Sequence, residues 1–269
     1  MAQYFRYAQL VMGPAGSGKS TYCQVIQQHG DIIGRGVQVM NLDPAAEQFK
    51  YRCDIDIRDL ITLDDVMEET DLGPNGGLVF ALEYLIENTD WLKDELDGLG
   101  EEDYILIDCP GQIELYTHMT VMRDFVKSLQ SLGFSVCGVY CLDCTFLTDS
   151  SKFISASLMA LAAMNQLEIP HINVLTKCDL VSDKSLINDI LDKDPTELTS
   201  ELATSAVSSR FKKITEHLAS VVSEFNLVQF FPLDINDEDS IRNITYQVDS
   251  SMQYGELQEV KASQDMEID

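Results

Sequence analysis

Short apolar runs recur along the chain, with longer stretches of helical spacing between them. The runs are YAQLVM (7–12), VQVMNL (37–42), YILID (104–108), VCGVYCL (136–142), HINVLT (171–176) and VQFFPL (228–233), all of strand length and too short for an independent helix. After the third run, Leu115, Met119, Met122, Val126, Leu129 and Leu132 stand three or four apart, which predicts one helix with a single apolar stripe. A second stripe runs from Phe153 to Leu167. Buried strands alternating with helices predict an α/β fold with a mostly parallel sheet, because parallel neighbours are joined by helical crossovers that cover both faces. Residues 43–103 interrupt the alternation and predict an acidic, mostly helical insertion at the functional edge of the sheet. The body of the domain is expected over 1–254. The segment 255–269 is polar, acidic and aperiodic, which predicts a disordered tail.

Charge narrows the function. Forty-five acidic residues against eighteen basic ones give a formal charge of −27, a field that opposes binding to nucleic-acid backbones and anionic membranes. Neither is expected as a direct partner. Seven cysteines, an odd number lying mostly in apolar runs, do not form a secreted disulfide framework and point to a reducing compartment. No apolar run approaches the length of a membrane span, and the first residues lack a basic flank and cleavage site. A soluble, cytoplasmic protein is expected.

In this acidic chain one segment is built for an anion. Gly13-Pro14-Ala15-Gly16-Ser17-Gly18-Lys19-Ser20-Thr21 follows the first strand directly and matches G-x-x-x-x-G-K-[ST] in full. Glycines let backbone N–H groups of the loop, from Gly13 through Gly16, Ser17 and Gly18, curl around a phosphate. The helix that follows adds the positive end of its dipole, Lys19 reaches the terminal phosphate oxygens, and Ser20 offers a ligand to Mg²⁺. The third strand ends in Asp108-Cys109-Pro110-Gly111-Gln112. Asp108 is the expected metal carboxylate, Gly111 can bring its N–H against a γ-phosphate, and Gln112 can align an attacking water. Asp43, at the end of the second strand, is a further carboxylate at the same edge, although Asp before Pro also starts turns.

The fifth strand runs into Thr176-Lys177-Cys178-Asp179. Asp179 can accept two hydrogen bonds from guanine, which adenine cannot supply, so guanine is the expected base. Lys177 would lie along the base and Thr176 would tie this loop to the phosphate loop. Phe231-Pro232-Leu233-Asp234 is a weaker candidate for a further base-contacting loop. The Cys141-x-x-Cys144 spacing lacks a second half-site and reads as structural. Arg58, bracketed by acids, reads as an ion-pair partner. The four histidines stand away from any nucleophile pattern.

Within the insertion, Leu72-Gly73-Pro74-Asn75-Gly76-Gly77 opens a predicted helix, so a rigid turn projects the Asn75 carboxamide from a helix start. In the order GPAGSGKST, NLDPAAE, DIDIRDLI, GPNGG, DCPGQIELYTH and TKCD, the sequence closely resembles the GPN-loop GTPases over about residues 5–255. The resemblance implies a dimeric P-loop NTPase fold whose helical insertion carries the Gly-Pro-Asn loop into the partner's nucleotide site. It implies GTP and GDP as nucleotides, Mg²⁺ on Ser20 and Asp108, and catalysis by Gln112, Asp43, Asn75 and Lys19. It further implies a heterodimer with GPN-loop GTPase 1 or 2, or a homodimer, acting in assembly and nuclear import of RNA polymerase II and its subunits, and hence shuttling to the nucleus. A P-loop kinase and a nucleotide-stabilised scaffold with negligible turnover stand as alternatives.

Overall fold

The computed structural model describes residues 6–98, 104–148, 150–181 and 228–255, with isolated positions in between. The tail beyond Gly255 lies outside the described residues. Strand β1 (Arg6–Met12) leads through the glycine-rich loop into α1 (Lys19–Ile33), and β2 (Val37–Asn41) follows. The insertion contributes β3 (Ile55–Asp56), then α2 (Leu63–Glu69), α3 (Pro74–Glu87) and α4 (Thr89–Asp97). Next come β4 (Tyr104–Asp108), α5 (Glu114–Thr117), α6 (Val121–Ser131), β5 (Phe134–Asp143), α7 (Ser150–Leu167) and β6 (His171–Thr176). The short β7 (Phe230–Pro232) and α8 (Glu238–Met252) close the described chain.

The strands form one sheet in the order β3-β2-β4-β1-β5-β6-β7, and every neighbouring pair is parallel. Period-two alternation sorts side chains between two cores. One face collects Ala8, Leu10, Met12, Ile105, Ile107, Tyr140 and Leu142 against α3 to α7. The other collects Tyr7, Val11, Leu106, Cys137, Val139 and Cys141 against α1 and α8. Burying a large apolar side chain contributes roughly 1.5–3 kcal/mol, and a one-residue slip in register would send each core's side chains to the opposite face, where the packing does not fit them.

Two expectations change. The stripe from Leu115 to Leu132 is not one helix: it is divided between α5 and α6, and Met119 falls in the link, exposed. The period survives because Leu115, Met122, Val126 and Leu129 pack into the same core. The insertion is also less helical than expected over its first part, since Asp54-Ile55-Asp56-Ile57 alternates in period two and supplies a strand and a 3-10 turn that bury Ile55 and Ile57. That pairing gives the sheet seven strands where the apolar runs showed six.

A buried polar chain crosses the second core. The Tyr22 hydroxyl donates to Gln9 Oε1 at 2.7 Å, Gln9 Nε2 donates to the Tyr104 hydroxyl at 2.6 Å, and Tyr104 donates to Asp249 Oδ1 at 3.2 Å. Asp249 also takes both arms of the Arg35 guanidinium, at 3.1 and 2.7 Å, and that guanidinium stacks over the Tyr254 ring at 4.1 Å. Gln9 is fully buried; its amide is tolerated in the core because each end has a partner.

Candidate functional site

Register brings the signature loops together. Asp108, the last residue of β4, stands opposite Val11 of β1 on one side and Asn41 of β2 on the other, so the loops after β1, β2 and β4 leave the sheet side by side. On the far side Asp143 stands opposite Thr176. In a parallel sheet all these ends point one way, and the crevice outside the carboxyl ends is where α/β folds bind ligands.

The phosphate loop is held tightly against the strand beside it. Gly13 has φ +137°, and a Cβ there would meet the Cys141 carbonyl oxygen at 2.2 Å, so only glycine fits. Gly16 and Gly18 also take positive φ, at 74° and 89°. Lys19, only 9% exposed, donates from Nζ to the carbonyls of Gly13 and Pro14 at 3.2 and 3.1 Å. Its ammonium is thereby kept over the loop. Thr176 joins the loop to the next strands: its Oγ1 lies 2.5 Å from the Ser17 carbonyl and 3.1 Å from that of Leu142.

Asp108 is 6% exposed, and Tyr51 donates to its Oδ2 at 3.0 Å, while Oδ1 is buried with no hydrogen-bond partner. Burial raises its carboxyl above the ordinary range, and the Ser20 and Tyr51 hydroxyls and the Lys19 charge draw it partway back. An orphaned buried carboxylate oxygen is costly, and next to Ser20 it suits a Mg²⁺ ion that keeps most of its water and uses few protein groups. No cluster of three or more metal-binding His, Cys, Asp or Glu side chains occurs among the described residues. Asp43 is half-buried; burial raises its carboxyl, opposed by the Ala45 N–H that it caps at 3.0 Å and by the Lys19 charge. The turn and the site therefore use the same side chain.

The segment after β4 lies directly on the phosphate loop. A Cβ on Gly111 would be 2.9 Å from Ala15 Cα, and the Tyr116 hydroxyl anchors the preceding Pro110 carbonyl. Gln112 Nε2 donates to Asn75 Oδ1 at 2.5 Å. Gly73 caps α3 and Pro74 occupies its first turn, so Asn75 is presented, exposed, from the helix start. The helix begins earlier than the LVFALEYLI run because the Pro-Asn-Gly-Gly turn is itself helical. Within one chain, the Gly-Pro-Asn turn thus reaches its own Gln112.

At the other end, Lys177 takes φ 62° and donates to Asp143 Oδ2 at 2.6 Å. Burial raises the Asp143 carboxyl, but the Lys177 ammonium and the hydrogen bonds from Thr145 together outweigh it and hold the group below the usual range. A cavity of about 250 Å³ runs from Gly18 and Thr21 to Asp179, walled by Leu180 and Ile235. Cys141 and Cys144 belong to opposite cores, so the CxxC pair shares no site. Arg58 donates to Asp56 and to the Ala46 carbonyl, a structural use of its guanidinium.

A family profile described as "Conserved hypothetical ATP binding protein" matches residues 11–254. The curated relatives include GPN-loop GTPase 3 of Dictyostelium discoideum, 50% identical over 95% of this chain and 90% of that protein. GPN-loop GTPase 3 of Danio rerio is 48% identical over 97% and 93% of the two chains, and that of Saccharomyces cerevisiae 47% over 97% of each. The chain belongs to the GPN-loop GTPases. Among solved structures, a GTPase in apo form from Pyrococcus abyssi is similar in fold, with a TM-score of 0.73 at 23% identity over 91% of this chain and 97% of that one.

For this GPN-loop GTPase, motif reasoning missed residues that carry no signature. Tyr51 contacts Asp108, and Tyr22, Lys50, Leu233 and Ile235 line the base-side cavity. Leu233 is the exception, since it lies in the Phe231 to Asp234 segment that the sequence marks as a weaker candidate. Lys50 and Tyr51 leave no trace because their value comes from where the insertion folds back over α1, which spacing along the chain does not express.

Proposed function

We propose that this GPN-loop GTPase binds GTP with Mg²⁺ and hydrolyses the bond between its β- and γ-phosphates. The observation that carries this is the Thr176 hydroxyl on the Ser17 carbonyl, which ties the Asp179 loop to the phosphate loop and makes base and phosphate ends parts of one cavity. Ser20 and Asp108 would hold the ion, which would supply positive charge to offset the negative charge of the phosphates. The residues do the rest. Lys19 exchanges its loop carbonyls for phosphate oxygens and offsets developing charge, and the Gly111 N–H faces the γ-phosphate. Gln112 would use its Oε1 to accept from the attacking water, with Asp43 assisting. Water attacks in line, the bridging P–O bond breaks, and GDP and inorganic phosphate result.

Single-turnover phosphate release tests this: Gln112→Leu should bind GTP normally and hydrolyse it far more slowly. An unaltered rate in that variant would remove Gln112 from the mechanism. The ATP-binding description of the family profile favours a second reading, and tighter binding of ATP than of GTP would establish it over the guanine assignment.

The working form we propose is a dimer, with GPN-loop GTPase 1 or 2 or a second copy, in which the exposed Asn75 serves the partner's nucleotide. Its proposed cellular role, assembly and nuclear import of RNA polymerase II, is supported by family resemblance alone. Affinity capture of the native protein, scored for a related GTPase and for polymerase subunits, tests both; recovery of neither would refute them.

A further inference from the structure

We infer that Lys50 is a nucleotide contact whose ammonium binds the α-phosphate; this rests on the guanine-nucleotide reading of the cavity. Lys50 belongs to the insertion, outside every signature motif, yet it lines the same cavity as Gly18, Thr21 and Asp179. Between a phosphate loop and a base-recognising carboxylate, any bound nucleoside polyphosphate places its ribose and α-phosphate. Of those two groups only the phosphate is anionic.

The charge at Lys50 is also uncommitted. Lys19 is held on the carbonyls of Gly13 and Pro14, and Lys177, which lines the cavity too, is paired with Asp143. Lys50 makes no ion pair or side-chain hydrogen bond among the described residues, in a chain of formal charge −27 where acidic partners are plentiful. An unpaired lysine facing a concave site is a suitable point charge for a phosphate.

The residues next to it in the chain are held in place. Gln27 of α1 accepts from the Arg52 N–H at 2.9 Å and donates to the Arg52 carbonyl at 3.0 Å. The Tyr51 hydroxyl is fixed on Asp108, and the Phe49 and Tyr51 rings stack with centroids 5.2 Å apart. Consecutive residues thus face different parts of one ligand complex: Tyr51 the metal carboxylate, Lys50 the nucleotide cavity. Little ordering of the backbone is left to be done on binding, which favours affinity.

The test uses the full chain with Lys50→Met, which keeps most of the stem and removes the charge, and Lys50→Arg, which restores it. Calorimetric titration with GDP, GTP and guanosine reads the contact. Lys50→Met should weaken GDP and GTP by the same factor, about tenfold at low salt and less at high salt, as for loss of one charge-assisted hydrogen bond. Lys50→Arg should recover most of that affinity, and guanosine, lacking the phosphate, should bind all three proteins alike. GDP and GTP affinities unchanged in Lys50→Met would overturn the assignment. So would a loss confined to GTP, or one shared by guanosine. Lys19→Ala separates the two levels: if it leaves nucleotide binding intact, the cradle reading itself fails, whereas its loss of binding beside an unaffected Lys50→Met fails this inference only.

Discussion

Replacing Gly111 by alanine isolates the contact between the segment after β4 and the phosphate loop. Gly111 does not take a positive φ, so alanine adopts its backbone without torsional strain and the effect is steric. The new Cβ would stand 2.9 Å from Ala15 Cα, 3.1 Å from Ala15 Cβ and 3.2 Å from Ala15 N. Ordinary contact begins at 3.4 Å, so the deficit at the Cα is about half an ångström, against backbone that cannot rotate away. The phosphate loop is braced by the Ser17 N–H on the Pro14 carbonyl at 3.1 Å and by Lys19 on the same oxygen. Gly111 and Gln112 must therefore retreat. Stretching a charge-assisted hydrogen bond to the γ-phosphate by that much forfeits most of its roughly 1.5–3 kcal/mol, a factor of about 10–100 in hydrolysis. GDP, which has no γ-phosphate, should bind with nearly native affinity. Single-turnover phosphate release from preloaded GTP and titration with fluorescent GDP are the assays. If hydrolysis proceeds at the native rate, or GDP affinity falls as far as the hydrolysis rate, the steric reasoning is refuted.

Three other outcomes follow from the same geometry. Thr176→Val keeps the shape and removes a hydroxyl whose single proton serves the Ser17 carbonyl; thermal unfolding should show about 1–2 kcal/mol lost, and both GDP and GTP should dissociate faster. His171, its ring nitrogens buried, is depressed by burial to about 4, a shift that the Asn173 side chain opposes. The unfolded chain therefore binds the extra proton first, and stability should fall as pH drops from about 6.5 through 4, by about 3 kcal/mol in all, in urea unfolding; His171→Phe should flatten that limb. Asp108→Asn should abolish the Mg²⁺ dependence of GTP affinity while leaving affinity in chelator little changed, and a persistent Mg²⁺ effect would remove Asp108 from the metal site.

The strands that position the site were legible because each is a short apolar run ending at a chemically marked residue: Met12 before Gly13, Ile107 before Asp108, Leu175 before Thr176. Lys19, Asp108 and Asp179 stand at or after the ends of β1, β4 and β6, which the parallel register sets along one edge of the sheet. The two-residue β3 was missed because so short a pairing leaves little pattern, and the α5 to α6 break because both helices share one face. The contact of Asn75 with Gln112 was not foreseen: a turn and a loop 37 residues apart meet only after α3 has packed. Lys50 and Tyr51 were invisible for the related reason that they are placed by Gln27, a helix residue with no motif of its own.

The polar relay from Tyr22 to Tyr254 sets where this protein can be shortened. Ending the chain ahead of Asp249 would strand the Arg35 guanidinium and the Tyr104 hydroxyl without their acceptor, and leave Gln9 hydrogen-bonded to a tyrosine that has lost its anchor. Because Tyr22 lies in the first turn of the helix that starts at Lys19, damage at the carboxyl end would be felt beneath the phosphate loop. The last helix therefore behaves as a cornerstone of the nucleotide domain, and any dispensable appendage begins only after Tyr254.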